Sequence, residues 1–184
     1  MDSVQKVVER LLRSTSALET SNLPYSVIGG NAVAAWVRRV DPAAVRFTKD
    51  VDLMVRREDF PAVTAALTAS GFVYAEVVGV HVFVDGPEGS VRDAVHVLFS
   101  DEKVRPDYTQ SAPSLAEVEY DPEGRYRVLS LEALVRMKLT SFRRKDQVHV
   151  QDMIGVGLID RTWLTRLPVD LASRLQELLD DPEG

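Results

Sequence analysis

Val4, Val7, Val8, Leu11 and Leu12 recur at three- and four-residue steps near the start of the chain. That is one helical stripe, so an amphipathic helix is predicted there, ended by Asn22-Leu23-Pro24. "YSVI" follows as a short apolar run, read as a strand that feeds Gly29-Gly30. "NAVAAWVRRV" is helical by composition and stops at Asp41-Pro42. Residues 45–55 hold a second strand, where Val51, Leu53 and Val55 alternate with Asp50, Asp52 and Met54. "REDFPAVTAALTASGF" carries Glu58, Asp59 and Pro61 near its start and Gly71 past its end, the polarity of a helix. Residues 72–100 are β-rich, with a turn over 85–89. Pro106, Pro113, Pro122 and Gly124 make 101–127 read mostly as loop. From Ser130, a suitable N-cap, the chain is helical, and Asp160 and Asp170 read as caps of two shorter helices.

This order predicts one α/β (α+β) domain over residues 1–184. Residues 1–127 form its α/β core, a small mixed sheet flanked by helices, and 128–184 a helical C-terminal segment. The length suffices for a buried core. No apolar run approaches the roughly 20 residues of a membrane span. The N-terminal stretch lacks the apolar centre of a signal peptide, and there is no cysteine. Disulfides and thiolate metal sites are therefore excluded, and the cytoplasm is the expected compartment. The net charge of −6 argues against broad nucleic-acid coating, although residues 136–145 carry five positive charges and no acid.

Candidate chemistry begins with Gly29-Gly30. A glycine pair between strand and helix lets backbone approach a ligand closely, and the helix N-terminus behind it suits phosphate. The alternative is a simple tight turn. Asp50 and Asp52 lie two apart, on one face if both are in a strand. Two such carboxylates repel unless a cation joins them. Magnesium takes oxygen ligands and shares itself with substrate phosphates. The alternative is ordinary pairing with Arg46, Lys49 or Arg56.

Together, "VIGGNAVAAW" and "RFTKDVDLMV" resemble the signature of the DNA polymerase β-type nucleotidyltransferase superfamily. That signature is a hydrophobic residue with Gly-Gly or Gly-Ser, a spacer, then Asp-hydrophobic-Asp. The longer spacer and Arg46-Phe47-Thr48 resemble AbiEii-like proteins and some aminoglycoside nucleotidyltransferases. "LEALVRMKLTSFRRKDQVHVQDMI" resembles the helical segment of AbiEii-like proteins. The resemblance implies a minimal nucleotidyltransferase fold, with Gly29, Gly30, Asn31, Arg46 and Thr48 on the nucleotide. It implies that Asp50 and Asp52 hold Mg2+ (or Mn2+) and that Lys138 reaches the triphosphate. The implied reaction moves a nucleoside monophosphate from a nucleoside triphosphate to a hydroxyl on RNA (tRNA included), protein or a small molecule. Relatives of this kind are often members of toxin–antitoxin pairs, which implies a cognate antitoxin or toxin as partner.

The family normally supplies a third carboxylate on a later strand. Here "VHVL" places His96 at that position, and Asp93 has the wrong parity to replace it in a regular strand. His96 can be read as a metal ligand, as a general base, or as a hydrogen-bond donor to the aspartates in a relative that binds without turnover. His81 and Asp85 share a face of the preceding strand, as pocket or ordinary hairpin residues. Lys138, Phe142, Lys145, His149 and Asp152 would form one stripe of a single long helix, with Lys138 facing the site.

Overall fold

The computed structural model describes residues 3–181. Helix α1 (Ser3–Thr20) buries Val7, Leu11 and Leu18, the stripe expected of it. Strand β1 (Tyr25–Ile28) is buried throughout and runs directly into α2 (Gly29–Arg38). Strand β2 (Val51–Val55) is shorter than expected: residues 45–50 are not strand, and Pro42–Ala44 form a 3-10 turn. Asp50 therefore stands just before β2 and only Asp52 lies within it. Helix α3 (Phe60–Ala69) follows, and Gly71 beyond it adopts φ +89°. Strands β3 (Phe72–Val77), β4 (Val80–Asp85) and β5 (Val95–Phe99) make up the β-rich stretch.

Two short strands, β6 (Val118–Tyr120) and β7 (Arg127–Leu129), lie in or at the edge of the segment expected to be loop. Their length hides them: three residues carry no periodicity to detect. Helices α4 (Leu131–Ser141), α5 (Arg144–Gly155) and α6 (Val169–Asp180) follow. Ser130 caps α4 by accepting from the Ala133 N–H, and Asp160 caps a 3-10 turn over Arg161–Thr165. Asp170 is not a cap. It lies inside the first turn of α6, behind Pro168, and its carboxylate accepts from Thr109 at 2.6 Å.

The seven strands form one mixed sheet in the order β3-β4-β5-β2-β1-β7-β6. β2 sits near its centre, antiparallel to β1 and parallel to β5. The register places Ile28 opposite Asp52 and Asp52 opposite His96. Buried Val27, Leu53, Val97, Leu134 and Leu171 belong to one apolar core that joins the sheet to the C-terminal helices. Trp36 ties α2 to β7 through a 2.9 Å hydrogen bond from its indole N–H to the Leu129 carbonyl.

Candidate active site

The site starts where β1 becomes α2. Gly29 has φ +65°, a conformation that only glycine adopts cheaply. A Cβ there would stand 2.1 Å from Asp52 Oδ2. Glycine is thus required twice, by the turn and by the carboxylate against it. At Gly30 a Cβ would come to 3.0 Å from the Thr48 Cβ, a tighter than ordinary contact. The antiparallel pairing of β1 with β2 sets this neighbourhood, because it brings the end of one strand beside the start of the other.

Asn31 and Thr48 both serve Asp50. The Asn31 amide donates to the Asp50 carbonyl at 2.9 Å, and the Thr48 hydroxyl donates to the Asp50 carboxylate. Irregular backbone would otherwise leave Asp50 free to swing, and these two bonds fix it near Asp52. Burial pushes the Asp50 carboxyl up, but the Thr48 bond and the Lys145 charge outweigh it and hold the group below its ordinary value. Asp50 is thus ionised at neutral pH.

His96 completes the cluster. Its Nδ1 lies 3.3 Å from Asp52 Oδ1 and 3.9 Å from Asp50 Oδ2, and its Nε2 lies 3.3 Å from the Val91 carbonyl. Both ring nitrogens face acceptors, an arrangement that favours the doubly protonated ring. The Asp52 bond accordingly raises the His96 pKa above its ordinary value, against the opposing effect of burial. One ligand atom from each of Asp50, Asp52 and His96 lies within 4.8 Å of the others, a spacing that can hold a metal ion. With the ring doubly protonated, the ligand atoms left for a metal are the Asp50 and Asp52 oxygens, which suit magnesium or manganese. Asp93 lies in a 3-10 turn outside this cluster.

Among the described residues the lysine paired with the acids is Lys145, with Nζ 3.4 Å from Asp50 Oδ2. Lys138, the cation expected there, is buried in an ion pair with Asp146 at 2.9 Å. The reason is a break in the helix. Phe142 adopts φ +48° and caps α4, so 138 and 145 lie on two helices, not on one stripe. Asp146 secures the joint by accepting from Lys138, from Ser141 at 2.8 Å and from the Arg143 side chain at 2.9 Å. Burial alone would raise its pKa, but these partners pull it down to about 2. No glycine or proline in "LTSFRRK" signals the break. The five-cation run was the available pointer to Lys145.

A cavity of about 710 Å³ opens over the cluster, lined among others by Gly29, Asp50, Asp52, His96, Lys145 and Arg143. Lys138 and Asp146 also reach its wall. Arg46 does not. It pairs with Asp152 at 2.9 Å and lines a separate cavity of about 350 Å³ with Phe47, Thr48 and His149. His81 lines the large cavity while its Nδ1 meets the Tyr74 hydroxyl at 3.0 Å. Asp85 is taken by Arg10 and Arg13.

No protein-family model matches the chain, and no curated protein matches its sequence. Solved structures do match. A nucleotidyltransferase-like protein from Paracoccidioides brasiliensis aligns at a TM-score of 0.61 and 21% identity, over 96% of this chain and 88% of that one. The antibiotic-resistance factor ANT(2'')-Ia, in complex with adenylyl-2''-tobramycin, aligns at 0.54 and 17% identity, over 98% and 99%. The solution structure of that factor gives 0.55 at 16% identity, over 98% and 93%. The chain therefore has the nucleotidyltransferase fold. Among the described residues, no helix is long and apolar enough to cross a membrane.

Proposed function

We propose that the protein is a metal-dependent nucleotidyltransferase that moves a nucleoside monophosphate from a nucleoside triphosphate to an acceptor hydroxyl. The observation that carries this reading is the placement of Asp50, Asp52 and His96 beside the Gly29-Gly30 helix start, on this fold. The residues fit a divalent cation: the Asp50 carboxylate is held ionised, and one ligand atom each from Asp50 and Asp52 lies within 4.8 Å of the other. Asp50 and Asp52 would hold Mg2+ or Mn2+, which would neutralise phosphate charge and polarise the α-phosphoryl group.

The chain's own residues do the rest by positioning and charge. The free N–H groups at the start of α2 receive phosphate oxygens. Lys145 and Arg143 on the cavity wall add positive charge. The acceptor oxygen bonds to the α-phosphorus while the bond to pyrophosphate breaks. Pyrophosphate leaves with the electron pair, and the hydroxyl proton passes to water. His96 is assigned the orientation and charge of Asp52, because an imidazole already proton-rich on both sides is a poor base.

A second reading has its own observation. His96 fills the place of a third carboxylate, so a protein of this fold that binds nucleotide, or a toxin–antitoxin partner, without turnover would look the same. Incubation with α-labelled nucleoside triphosphates, magnesium or manganese, and pooled tRNA, protein and small acceptors separates the two. The transferase reading expects label transfer that needs metal and is lost in Asp52→Asn. Nucleotide binding without transfer, unchanged in that variant, would leave only the second.

A further inference from the structure

Resting on that reading, we propose that the acceptor is an acidic polypeptide segment, modified on a side-chain hydroxyl. The cavity wall beyond the acids differs from its centre. Its two remaining carboxylates are already paired: Glu102 takes both branches of Arg57 at 2.6 Å, and Asp146 is held by Lys138 and Arg143. Lys103 and Arg105 on the same wall are exposed and have no ion pair among the described residues. The wall offers two cations without an acid partner, Arg105 lying over the Tyr108 ring, and no unpaired acid. A polycationic acceptor finds nothing to pair with there, whereas a carboxylate-bearing one does.

The opposite wall is apolar. Register places Val82 directly opposite His96, and His96 opposite Asp52, so all three share one face of the sheet. Val77 and Val80 pair on that same face at the end of the β3–β4 hairpin. Val80 is 40% exposed and Val78, at the tip, 98%. Val82 belongs to a small cluster with Val84 and Ala94, apart from the main core, and Val77 packs against it. These valines form a path from solvent to the acids.

Val78 is the telling residue. With Gly79 it makes a two-residue turn in which both have positive φ, 52° and 74°. That turn favours Asn-Gly, and a β-branched residue in the left-handed region is strained. Val78 buries nothing in exchange for the strain. Folding does not explain it; contact with an apolar partner does. Valine methyls bury apolar side chains but give no flat face for stacking bases. A polypeptide meets both walls, apolar side chains on the valines and carboxylates on Lys103 and Arg105. The chemistry is that given above: the side-chain oxygen gains the bond to α-phosphorus, pyrophosphate departs with its electron pair, and the proton goes to water.

The test uses the full chain, an α-labelled nucleoside triphosphate and manganese, with separate arms containing poly(Glu,Tyr), poly(Lys,Tyr), tRNA or kanamycin. Label should enter poly(Glu,Tyr) in preference to the others. The double variant Lys103→Glu with Arg105→Glu should raise the KM for poly(Glu,Tyr) about ten-fold, without changing acceptor-free triphosphate hydrolysis. Val78→Asn should raise the melting temperature, by relieving the turn, and still raise that KM. Label entering tRNA or kanamycin but no polypeptide overturns this proposal and leaves the transferase reading standing. Equal labelling of the acidic and basic polymers, or an unchanged KM in both variants, also overturns it. No label in any arm overturns both.

Discussion

His96 Nδ1 points at Asp52 Oδ1 from 3.3 Å, on the strand position directly opposite it. The imidazole thus acts as a built-in counter-ion, whereas a carboxylate at this position would need a metal. His96→Asp should reverse that dependence. Without divalent cation three carboxylates repel, and the melting temperature should fall by several degrees; with manganese or magnesium it should recover past wild type, since only the folded site binds the ion. Transfer in magnesium should rise about ten-fold, because magnesium prefers oxygen. Thermal melts with and without metal, beside the label-transfer assay, read both effects. A melting temperature indifferent to metal would remove Asp50 and Asp52 as ligands.

Gly29→Ala should be far more damaging than Gly30→Ala. The first puts a Cβ into the left-handed region and 2.1 Å from Asp52 Oδ2, so the carboxylate must leave. The strain alone is about 1–3 kcal/mol. The second needs Thr48 to move only a few tenths of an ångström from 3.0 Å. Chemical denaturation and nucleotide binding should both fail in Gly29→Ala and both survive in Gly30→Ala.

Much of this site was legible because strand pairing turns sequence neighbours into spatial ones. Gly29 and Asp52 could be joined from the sequence once β1 and β2 were read as strands. His96 was found because "VHVL" resembles the family's third-carboxylate strand, and the register sets it opposite Asp52. What escaped reading was set by backbone, not pattern. Phe142 breaks the helix with a left-handed residue that no sequence signal announces, so the five-residue stripe became two helices and the cation at the acids became Lys145. Residues 45–50 kept apolar alternation in part yet left the sheet, because Asn31 and Thr48 hold Asp50 in another conformation. The strands β6 and β7 were too short to show a period.

Lys138 should matter for folding before it matters for chemistry. Its ammonium is buried against Asp146, a carboxylate only 1% exposed. Lys138→Met strands that carboxylate, although Arg143 and Ser141 still donate to it. A loss of about 3 kcal/mol is expected. Pairing it with Asp146→Leu should restore most of the loss, since removing both charges removes the desolvation penalty. Denaturation of the single and double variants measures the coupling. If Lys138→Met were fully stable yet inactive, Lys138 would be working on the substrate instead.

His149 should make the fold acid-sensitive in a defined window. It is buried, its Nδ1 has no hydrogen-bond partner, and it stands among Lys138, Lys145, Asp146 and Asp50. Burial, then the two lysines, lower its pKa from 6.5 to about 4. Below 6.5 the unfolded chain takes up a proton that the folded chain refuses, so stability falls as pH drops and levels off near 4. The full effect approaches about 3 kcal/mol. His96 acts on the other side: its raised pKa contributes stability that is present below 6.5 and lost as pH rises through the folded value. Asp146, held at about 2, contributes stability that is present above 3.8 and lost as pH falls below it. Urea denaturation of wild type and His149→Leu across pH 4 to 7 isolates the contribution of His149. The acid slope should vanish in the variant, and a slope that persists would place the titrating group elsewhere.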